Sequence, residues 1–319
     1  MRATRLLDCP IVTPDSHPSI GVNIQGPSLI RVPDWVPDPL GRYYLYFADH
    51  KGAYIRLAYA DALTGPWHIH EPGSLHLRDS LFPVDPPEAP ADAPVAHDAE
   101  LGGKRSHSFQ VEATTPHIAS PDVHLDEANR RIVMYFHGLE GYAKQSTRVA
   151  TSPDGITFTA LPEILGRTYF RCFRHGGWTY ALAMPGLVYR SRDGLTGFEP
   201  GPTLFNPHMR HSAVLPRGDT LHVFWTQVGF APESILWSTI DLSGDWMAWR
   251  ESAPVEILRP EFAWEGADAP LEPSVRSTAY GHVNQLRDPA VFEEDGETYL
   301  LYAVAGEAGI AIARVDMAG

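Results

Sequence analysis

The amino-acid sequence predicts an all-β fold, and within that class a single-domain, five-bladed β-propeller. Three observations lead to this prediction. A hairpin of two apolar strands occurs five times along the 319 residues, and a second strand pair around a Gly-containing turn follows these hairpins. No long segment has the 3.6-residue apolar period of an amphipathic helix. Five units of this kind can close into a ring, which leaves only short, protected sheet edges.

The five hairpins share one construction. Their turns carry Gly, Asn or Asp, which tolerate the left-handed backbone of hairpin turns. Their second strands are rich in Tyr, Phe, Trp, Leu and Val, as half-buried strands are. The copies occupy residues 26–50, 120–138, 169–184, 211–227 and 288–303.

The second element has a strand, a turn related to Ser-x-Asp-Gly, and then an aromatic residue. It covers residues 55–68, 147–159, 187–199 and 235–249, whereas the last copy, 309–315, stops short. Each unit therefore supplies about four strands. A β-sandwich with accidentally similar hairpins is the alternative, and five copies of a two-part pattern disfavour it.

These units predict the boundaries of the blades. We expect blades over roughly residues 20–75, 116–162, 166–204, 208–256 and 284–316, with long loop insertions at 75–116 and 259–284. Loops beyond about 12–15 residues are usually functional lids or disordered segments. Neither insertion has the character of a domain boundary.

The composition of the chain limits the classes of molecule that it could bind. The chain has 25 Lys and Arg against 39 Asp and Glu, a formal net charge of −14, which disfavours nucleic acid and anionic membranes. It contains no apolar stretch of about 18 residues and no N-terminal secretory pattern. Cys9 and Cys172 form neither a disulfide framework nor a zinc motif. We therefore expect a cytoplasmic protein; no pattern indicates its oligomeric state.

A propeller brings polar residues from distant blades to one axial pocket. Innermost strands line the central channel, and the ends of the second strands lie at its mouth. The sequence places the following polar or aromatic residues at or near these positions: Asn23, Gln25, Asp49, His50, His117, Asp122, His137, Arg171, His175, Arg210, His211, Trp225, Gln227, Arg287 and Asp288.

Three segments resemble the five-bladed propeller glycosidases, most closely glycoside hydrolase family 43 and its relatives. They are residues 119–138 (with Ser-Pro-Asp-Val), 152–158 (Ser-x-Asp-Gly-x-x-Phe) and 286–306 (with Arg-Asp-Pro). The resemblance implies hydrolysis by carboxylates on the first three blades. Asp122 matches the second-blade carboxylate. The first-blade position falls on Gly26, and the third falls in 169–174, where no Glu occurs.

Two family carboxylates are thus absent from their expected places, so the catalytic set would have to be rebuilt. We predict a glycosidase whose catalytic groups are drawn from Asp122, Asp288, His117, His137 and His211, since imidazole can donate a proton near neutrality. The loop residues Glu140, Glu265 and Glu307 are further candidates for the acid.

The substrate-binding prediction comprises Asn23, Gln25, Asp49, His50, Arg171, His175, Arg210, Trp225, Gln227 and Arg287. The three arginines suggest an anionic sugar, because guanidinium binds carboxylate or sulfate through a bidentate fork. Alternatively, each arginine pairs with Asp122 or Asp288 inside the protein.

Two other functions stay open. His117, His137 and His211 could hold a divalent cation on the axis, which would make the protein a metal- or His-dependent lyase or hydrolase, although no local metal motif supports this. A propeller that has lost its acids could also bind sugar without cleaving it.

Overall fold

The protein is a ring of five four-stranded antiparallel sheets, which confirms the predicted five-bladed β-propeller. The structure is a computed structural model, and it describes residues 1–91 and 106–317. Part of the predicted insertion 75–116 therefore lies outside the described residues.

The strands follow in chain order. The chain begins with β1 (Arg2–Arg5). Blade one contains β2 (Gln25–Arg31), β3 (Tyr43–Ala48), β4 (Tyr54–Ala60) and β5 (His68–His76). Blade two contains β6 (Ile118–Asp126), β7 (Arg131–Gly141), β8 (Lys144–Ser152) and β9 (Thr159–Ala160). Blade three contains β10 (Arg171–His175), β11 (Trp178–Ala183), β12 (Leu187–Ser191) and β13 (Glu199–Thr203).

Blade four contains β14 (Met209–Arg217), β15 (Thr220–Gln227), β16 (Ile235–Asp241) and β17 (Val255–Leu258). Blade five contains β18 (Arg287–Glu294), β19 (Glu297–Ala303) and β20 (Ile310–Asp316). Helix α1 covers Phe109–Thr114. Single 3₁₀ turns lie at Pro14–Ser16, Pro18–Ile20, Leu77–Asp79, Glu127–Asn129, Trp246–Ala248 and Ala263–Glu265.

The N-terminal strand completes the last blade. β1 pairs antiparallel with β20, so that Arg2 lies opposite Asp316 and Arg5 opposite Ala313. The sequence pattern of the fifth unit stopped short because its fourth strand comes from the other end of the chain. Pairing of the two ends closes the ring.

The core is divided among the interfaces between blades. Five buried hydrophobic clusters are found in the described residues, one for each pair of neighbouring blades. Between blades one and two, for example, Tyr44 and Tyr46 pack against Ile132 and Met134. Each sheet therefore buries both faces, which explains the near-continuous apolar runs of the second strands.

The innermost strands surround the axis. Strand β2 contacts both β6 and β18, and β14 contacts both β10 and β18. Their first residues all lie at one mouth of the channel, together with the loops that join second and third strands. Among the described residues, no helix has the length and apolar character needed to span a membrane.

Candidate functional site

Bulges near the start of four innermost strands shape the channel. The pairing register shifts after Gln25, Ala119, Met209 and Arg287. At three of these shifts a residue with left-handed backbone precedes a proline: Gly26 (φ 62°), Ser120 (φ 49°) and Asp288 (φ 46°). Bulges redirect side chains and often lie next to functional sites. A left-handed conformation is unfavourable for Asp and Ser, so the surrounding structure must hold it.

Asp288 is the central carboxylate of this site. Its side chain is fully buried, and neither oxygen has a hydrogen-bond partner among the described residues. Burial, followed by the negative charge of Glu307, raises the pKa of Asp288 to about 7. Its own main-chain N–H donates to Nδ1 of His211. That contact places the proton of the neutral imidazole on Nε2.

Glu307 is the ionised partner of Asp288. It follows β19 and is fully buried. It accepts hydrogen bonds from Asn23 Nδ2 at 2.7 Å and from a guanidinium nitrogen of Arg287 at 2.8 Å, and Nδ1 of His50 lies 3.5 Å away. Burial would raise its pKa, but the charges of His50 and Arg287 outweigh burial and lower the pKa to about 2.

A second buried ion pair completes the charge cluster. Arg210 donates to both oxygens of Glu233, and Nε of Arg287 lies 3.8 Å from the same carboxylate. Although burial raises the pKa of Glu233, the two guanidinium groups lower it below its ordinary value. Two arginines thus neutralise Glu233 and Glu307. Arg287 and Arg210 also lower the pKa of Asp288, but burial and the charge of Glu307 outweigh them, so the protonated form of Asp288 is favoured.

A row of aromatic rings lies beside the cluster. Tyr169 packs between His137, at 4.4 Å between ring centroids, and His211, at 5.1 Å. His117 stands edge-on to His137 at 6.0 Å. Burial lowers the pKa of His117 to about 3, and lowers those of His137 and His211 well below their ordinary value. These imidazoles are therefore neutral near pH 7.

A cavity of about 780 Å³ opens above these rings, at the mouth where the innermost strands begin. Its lining includes His50, Glu112, Tyr169, Arg210, His211 and Ser277. A second cavity, of about 1,280 Å³, includes Gln227, Phe230, Tyr280, Asn284, Gln285 and Arg287 in its lining. The same segment, residues 274–280, borders both cavities.

Asp122 lies away from this mouth. It lines a smaller cavity of about 310 Å³ with His124, Cys172 and Arg174, formed by the far halves of the innermost strands. Its carboxylate contacts His124 Nε2 at 2.7 Å and accepts the main-chain N–H of Cys172. Burial would raise its pKa, but His124 and then Arg171 lower it. The structure thus separates Asp122 from Asp288, His211 and His137, which the sequence analysis had grouped with it.

The three axial arginines all have partners inside the protein. Arg171 donates to the carbonyl oxygens of Ser212 and Pro121 and lies 3.7 Å from Asp122. Arg210 and Arg287 bind Glu233 and Glu307, not the predicted Asp288. These guanidinium groups therefore lend no support to an anionic substrate.

The remaining predicted binding residues fall into two groups. Asn23, Gln25 and His50 belong to the axial cluster; Gln25 accepts a hydrogen bond from Ser120, and its amide nitrogen has no partner among the described residues. Asp49 is half-buried beside Arg56. By contrast, Trp225 is buried in the core between blades three and four, and His175 lies near Asp219 on neighbouring hairpins. Gln227 accepts from Asn206 on the wall of the larger cavity.

Glu233 and Tyr169 also belong to the site, although neither was among the predicted site residues. Glu233, Glu307 and His50 all follow the second strand of a blade, so polar residues in these loops were the available signal. The other two loop carboxylates have structural contacts. Glu265 is bound by Arg5 and Tyr302, and Glu140 lies 3.4 Å from Arg148.

The predicted histidine metal site is not assembled. Within residues 1–91 and 106–317, no three His, Cys, Asp or Glu side chains are arranged to hold a metal ion. Tyr169 separates His137 from His211.

One sequence relative was found among curated proteins. No protein-family model matches the chain. The "Uncharacterized protein R118" of Acanthamoeba polyphaga mimivirus is 36% identical over 321 residues, which covers 92% of this chain and 84% of the viral protein.

Three solved glycosidase structures are similar to this fold. A family 43 β-xylosidase/α-arabinofuranosidase from a compost metagenome, in complex with xylotriose, has a TM-score of 0.59 at 11% identity, over 97% of this chain and 94% of that chain. A family 43 enzyme from Xanthomonas citri has a TM-score of 0.59 at 11% identity, over 97% and 90%. An exo-β-1,3-galactanase from Phanerochaete chrysosporium has a TM-score of 0.57 at 13% identity, over 93% of this chain but only 62% of its own. The TM-scores establish that these proteins share the fold of this chain, and at identities this low the similarity establishes the fold alone.

Proposed function

This chain belongs to the same protein family as the mimivirus protein R118 and has the five-bladed propeller fold of the family 43 glycosidases, and from that premise we propose that it hydrolyses a glycosidic bond in a carbohydrate. The proposed substrate lies in the 780 Å³ cavity above Tyr169 and His211. The xylose-, arabinose- and galactose-containing substrates named for the structural relatives give the first sugars to test.

The state of Asp288 carries the proposal. Glycoside hydrolysis needs one carboxyl group that can donate a proton and another that is ionised. Asp288 has a pKa of about 7 and no hydrogen bond to its oxygens among the described residues, so it can exchange a proton near neutral pH. The neighbouring carboxylate of Glu307 is ionised and held by Asn23 and Arg287.

We assign protonation of the leaving-group oxygen to Asp288, the role of the required ionised carboxylate to Glu307, and a positioning role to His211. Glu307 raises the pKa of Asp288 by its charge, and His211 holds the main chain of Asp288 in its left-handed conformation. Tyr169 contributes an aromatic side chain to the lining of the cavity, and aromatic side chains are common in the lining of ligand pockets.

The test is hydrolysis of a panel of aryl glycosides and oligosaccharides, followed by kinetics of Asp288→Asn on any substrate that is cleaved. This isosteric change should lower kcat by at least roughly 100-fold, the usual contribution of a general acid or base. Asp79→Asn, at an exposed carboxylate beside Arg78, is the control. Wild-type kcat in the Asp288 variant would remove the assignment.

A second candidate is a sugar-binding propeller without turnover. It is favoured by the neutralisation of Glu233, Glu307 and Asp122 by arginine or histidine, which leaves Asp288 as the one axial carboxylate without an ion-pairing arginine among the described residues. Calorimetry separates the two functions: a sugar that binds to the wild-type protein with no product after prolonged incubation supports the binding protein.

A further inference from the structure

Residues 274–280, which we call the strap, cross the mouth of the channel between the two cavities. Alternate carbonyl oxygens of the strap point toward the axial cluster and accept hydrogen bonds from three different blades. Val275 accepts from Arg210 at 3.1 Å, Ser277 from Arg287 at 3.0 Å, and Ala279 from Asn23 at 3.3 Å.

The outer side of the strap is tied by side chains. The hydroxyl of Ser106 donates to the carbonyl oxygen of Thr278 at 2.6 Å. The hydroxyl of Ser277 donates to Glu112 at 2.6 Å, and Lys51 holds the same carboxylate at 2.7 Å. Neither serine belongs to the axial charge cluster.

Main-chain pairing of the strap is confined to its first residue. Across the described residues, its main-chain-to-main-chain hydrogen bonds are those of Ser274 with Gly229 and Phe230. Residues 275–280 can therefore separate from the channel without breaking a sheet ladder. Segments held in this way open locally at a lower free energy than blade strands do.

The three side chains that donate hydrogen bonds to the strap each have a carboxylate partner as well. Arg210 keeps Glu233 as its partner, and Arg287 and Asn23 both keep Glu307. Lifting the strap would leave one N–H of each donor without its carbonyl partner and would join the two cavities. Asp288 and Glu307 are fully buried while the strap is in place.

We propose that the strap is a closure that lifts to admit the carbohydrate, whose oxygens replace the three strap carbonyls on Arg210, Arg287 and Asn23. The strap thus occupies the site in the absence of ligand. The identity of the ligand as a carbohydrate rests on the proposed function; the opening of the strap does not.

Hydrogen–deuterium exchange on the full chain without ligand tests the opening. Amides of residues 275–280 should exchange faster than those of β19, and the double variant Ser106→Ala/Ser277→Ala should speed strap exchange further, by roughly fivefold or more for two lost hydrogen bonds. Ser243→Ala, at an exposed serine on blade four, should leave strap exchange unchanged. Strap exchange as slow as that of β19, and equal in wild type and double variant, would overturn the proposal.

The same measurement with xylotriose or β-1,3-galactotriose tests displacement. Binding, followed in parallel by calorimetry, should increase strap exchange, because the ligand competes with the strap for the same donors. A decrease on binding would mean that the strap is a fixed wall of the site, and would overturn the displacement. Failure of both sugars to bind would count against the proposed function, while the ligand-free comparison still decides whether the strap opens.

Discussion

Asp288 is hydrogen-bonded to His211 through its main chain and not through its carboxylate. The main-chain N–H of Asp288 donates to Nδ1 of His211, and the same nitrogen lies 3.4 Å from Oδ1 of the carboxylate. Because Nδ1 accepts a hydrogen bond from the main-chain N–H, it carries no proton that it could donate to the carboxylate. His211 therefore fixes the position of Asp288 without stabilising its charge, which is consistent with the raised pKa.

This raised pKa predicts how stability depends on pH. The ordinary pKa of aspartate is 3.8, and that of Asp288 is about 7. Between these values the folded state binds more protons than the unfolded state, so the free energy of unfolding falls as pH rises. Asp288→Asn removes this dependence. The variant should be more stable than wild type at pH 8, by up to roughly 4 kcal/mol, and should gain little at pH 4.

Thermal unfolding at pH 4 and pH 8 measures the effect. Asp79→Asn, at an exposed carboxylate, should follow the wild-type profile. If Asp288→Asn and wild type showed the same change between the two pH values, Asp288 would be ionised throughout and unsuited to transfer a proton.

Glu307 predicts the opposite dependence on pH. Its pKa of about 2 lies below the ordinary 4.5, so its stabilising contribution is present above pH 4.5 and is lost as pH falls toward 2. Glu307→Gln should cost roughly 3–5 kcal/mol at pH 7, because Arg287 loses a buried partner. It should also lower the pKa of Asp288 by removing a like charge.

Carbon-detected NMR titration of the Asp288 carboxyl group in the Glu307→Gln variant checks the second effect, and urea denaturation checks the first. Glu265→Gln, a change at another buried glutamate near Arg5, is the control for loss of a buried charge. An unshifted Asp288 titration would show that burial alone sets its pKa.

The fold could be predicted from the sequence because every blade repeats the same local pattern, but the candidate site depends on contacts between distant residues. β1 contains only four residues and has no hairpin partner nearby, so nothing local marks it as the last strand of blade five. Glu233 lies in a loop between two strands, so the alternation of apolar and polar residues that marks buried positions in a strand does not apply to it. The first-blade carboxylate position falls on Gly26, whereas Asp288 takes the corresponding place on blade five, and in a closed ring these two blades are neighbours.

Asp122 was the carboxylate that best matched the family pattern, and its position predicts a structural role. Its pKa is lowered despite burial, chiefly by His124, so its contribution to stability is present above pH 3.8 and is lost as pH falls. Asp122→Asn should destabilise the protein by roughly 1–4 kcal/mol at pH 7 and leave kcat on a cleaved substrate within about twofold. A loss of kcat without a loss of stability would instead mean that Asp122 is catalytic and that the active site lies at the far mouth of the channel.

Gly26 occupies the bulge position that Asp288 occupies on the neighbouring blade. A Cβ at Gly26 would lie 2.9 Å from Cα of Ser120, in addition to the strain of its positive φ. Gly26→Ala should therefore cost more than Gly218→Ala, where φ is +57° and no atom lies within 4 Å. We expect roughly 1 kcal/mol at Gly218 and 2–4 kcal/mol at Gly26, measured by urea denaturation. Equal losses would mean that β2 and β6 can separate at this point.

Closure of the ring depends on Arg5 as well as on strand pairing. Arg5 donates to both oxygens of the fully buried Glu265, at 2.8 Å each, and to the carbonyl oxygen of Arg259. Arg5→Ala would leave Glu265 with the hydroxyl of Tyr302 and the main-chain N–H groups of Glu261 and Phe262 but without its guanidinium, which should cost roughly 3–5 kcal/mol in urea denaturation. Arg2→Ala, an exposed change on the same strand, should cost about 0.5 kcal/mol or less. If both variants lost the same stability, the pairing of β1 with β20 alone would hold the two ends of the chain together.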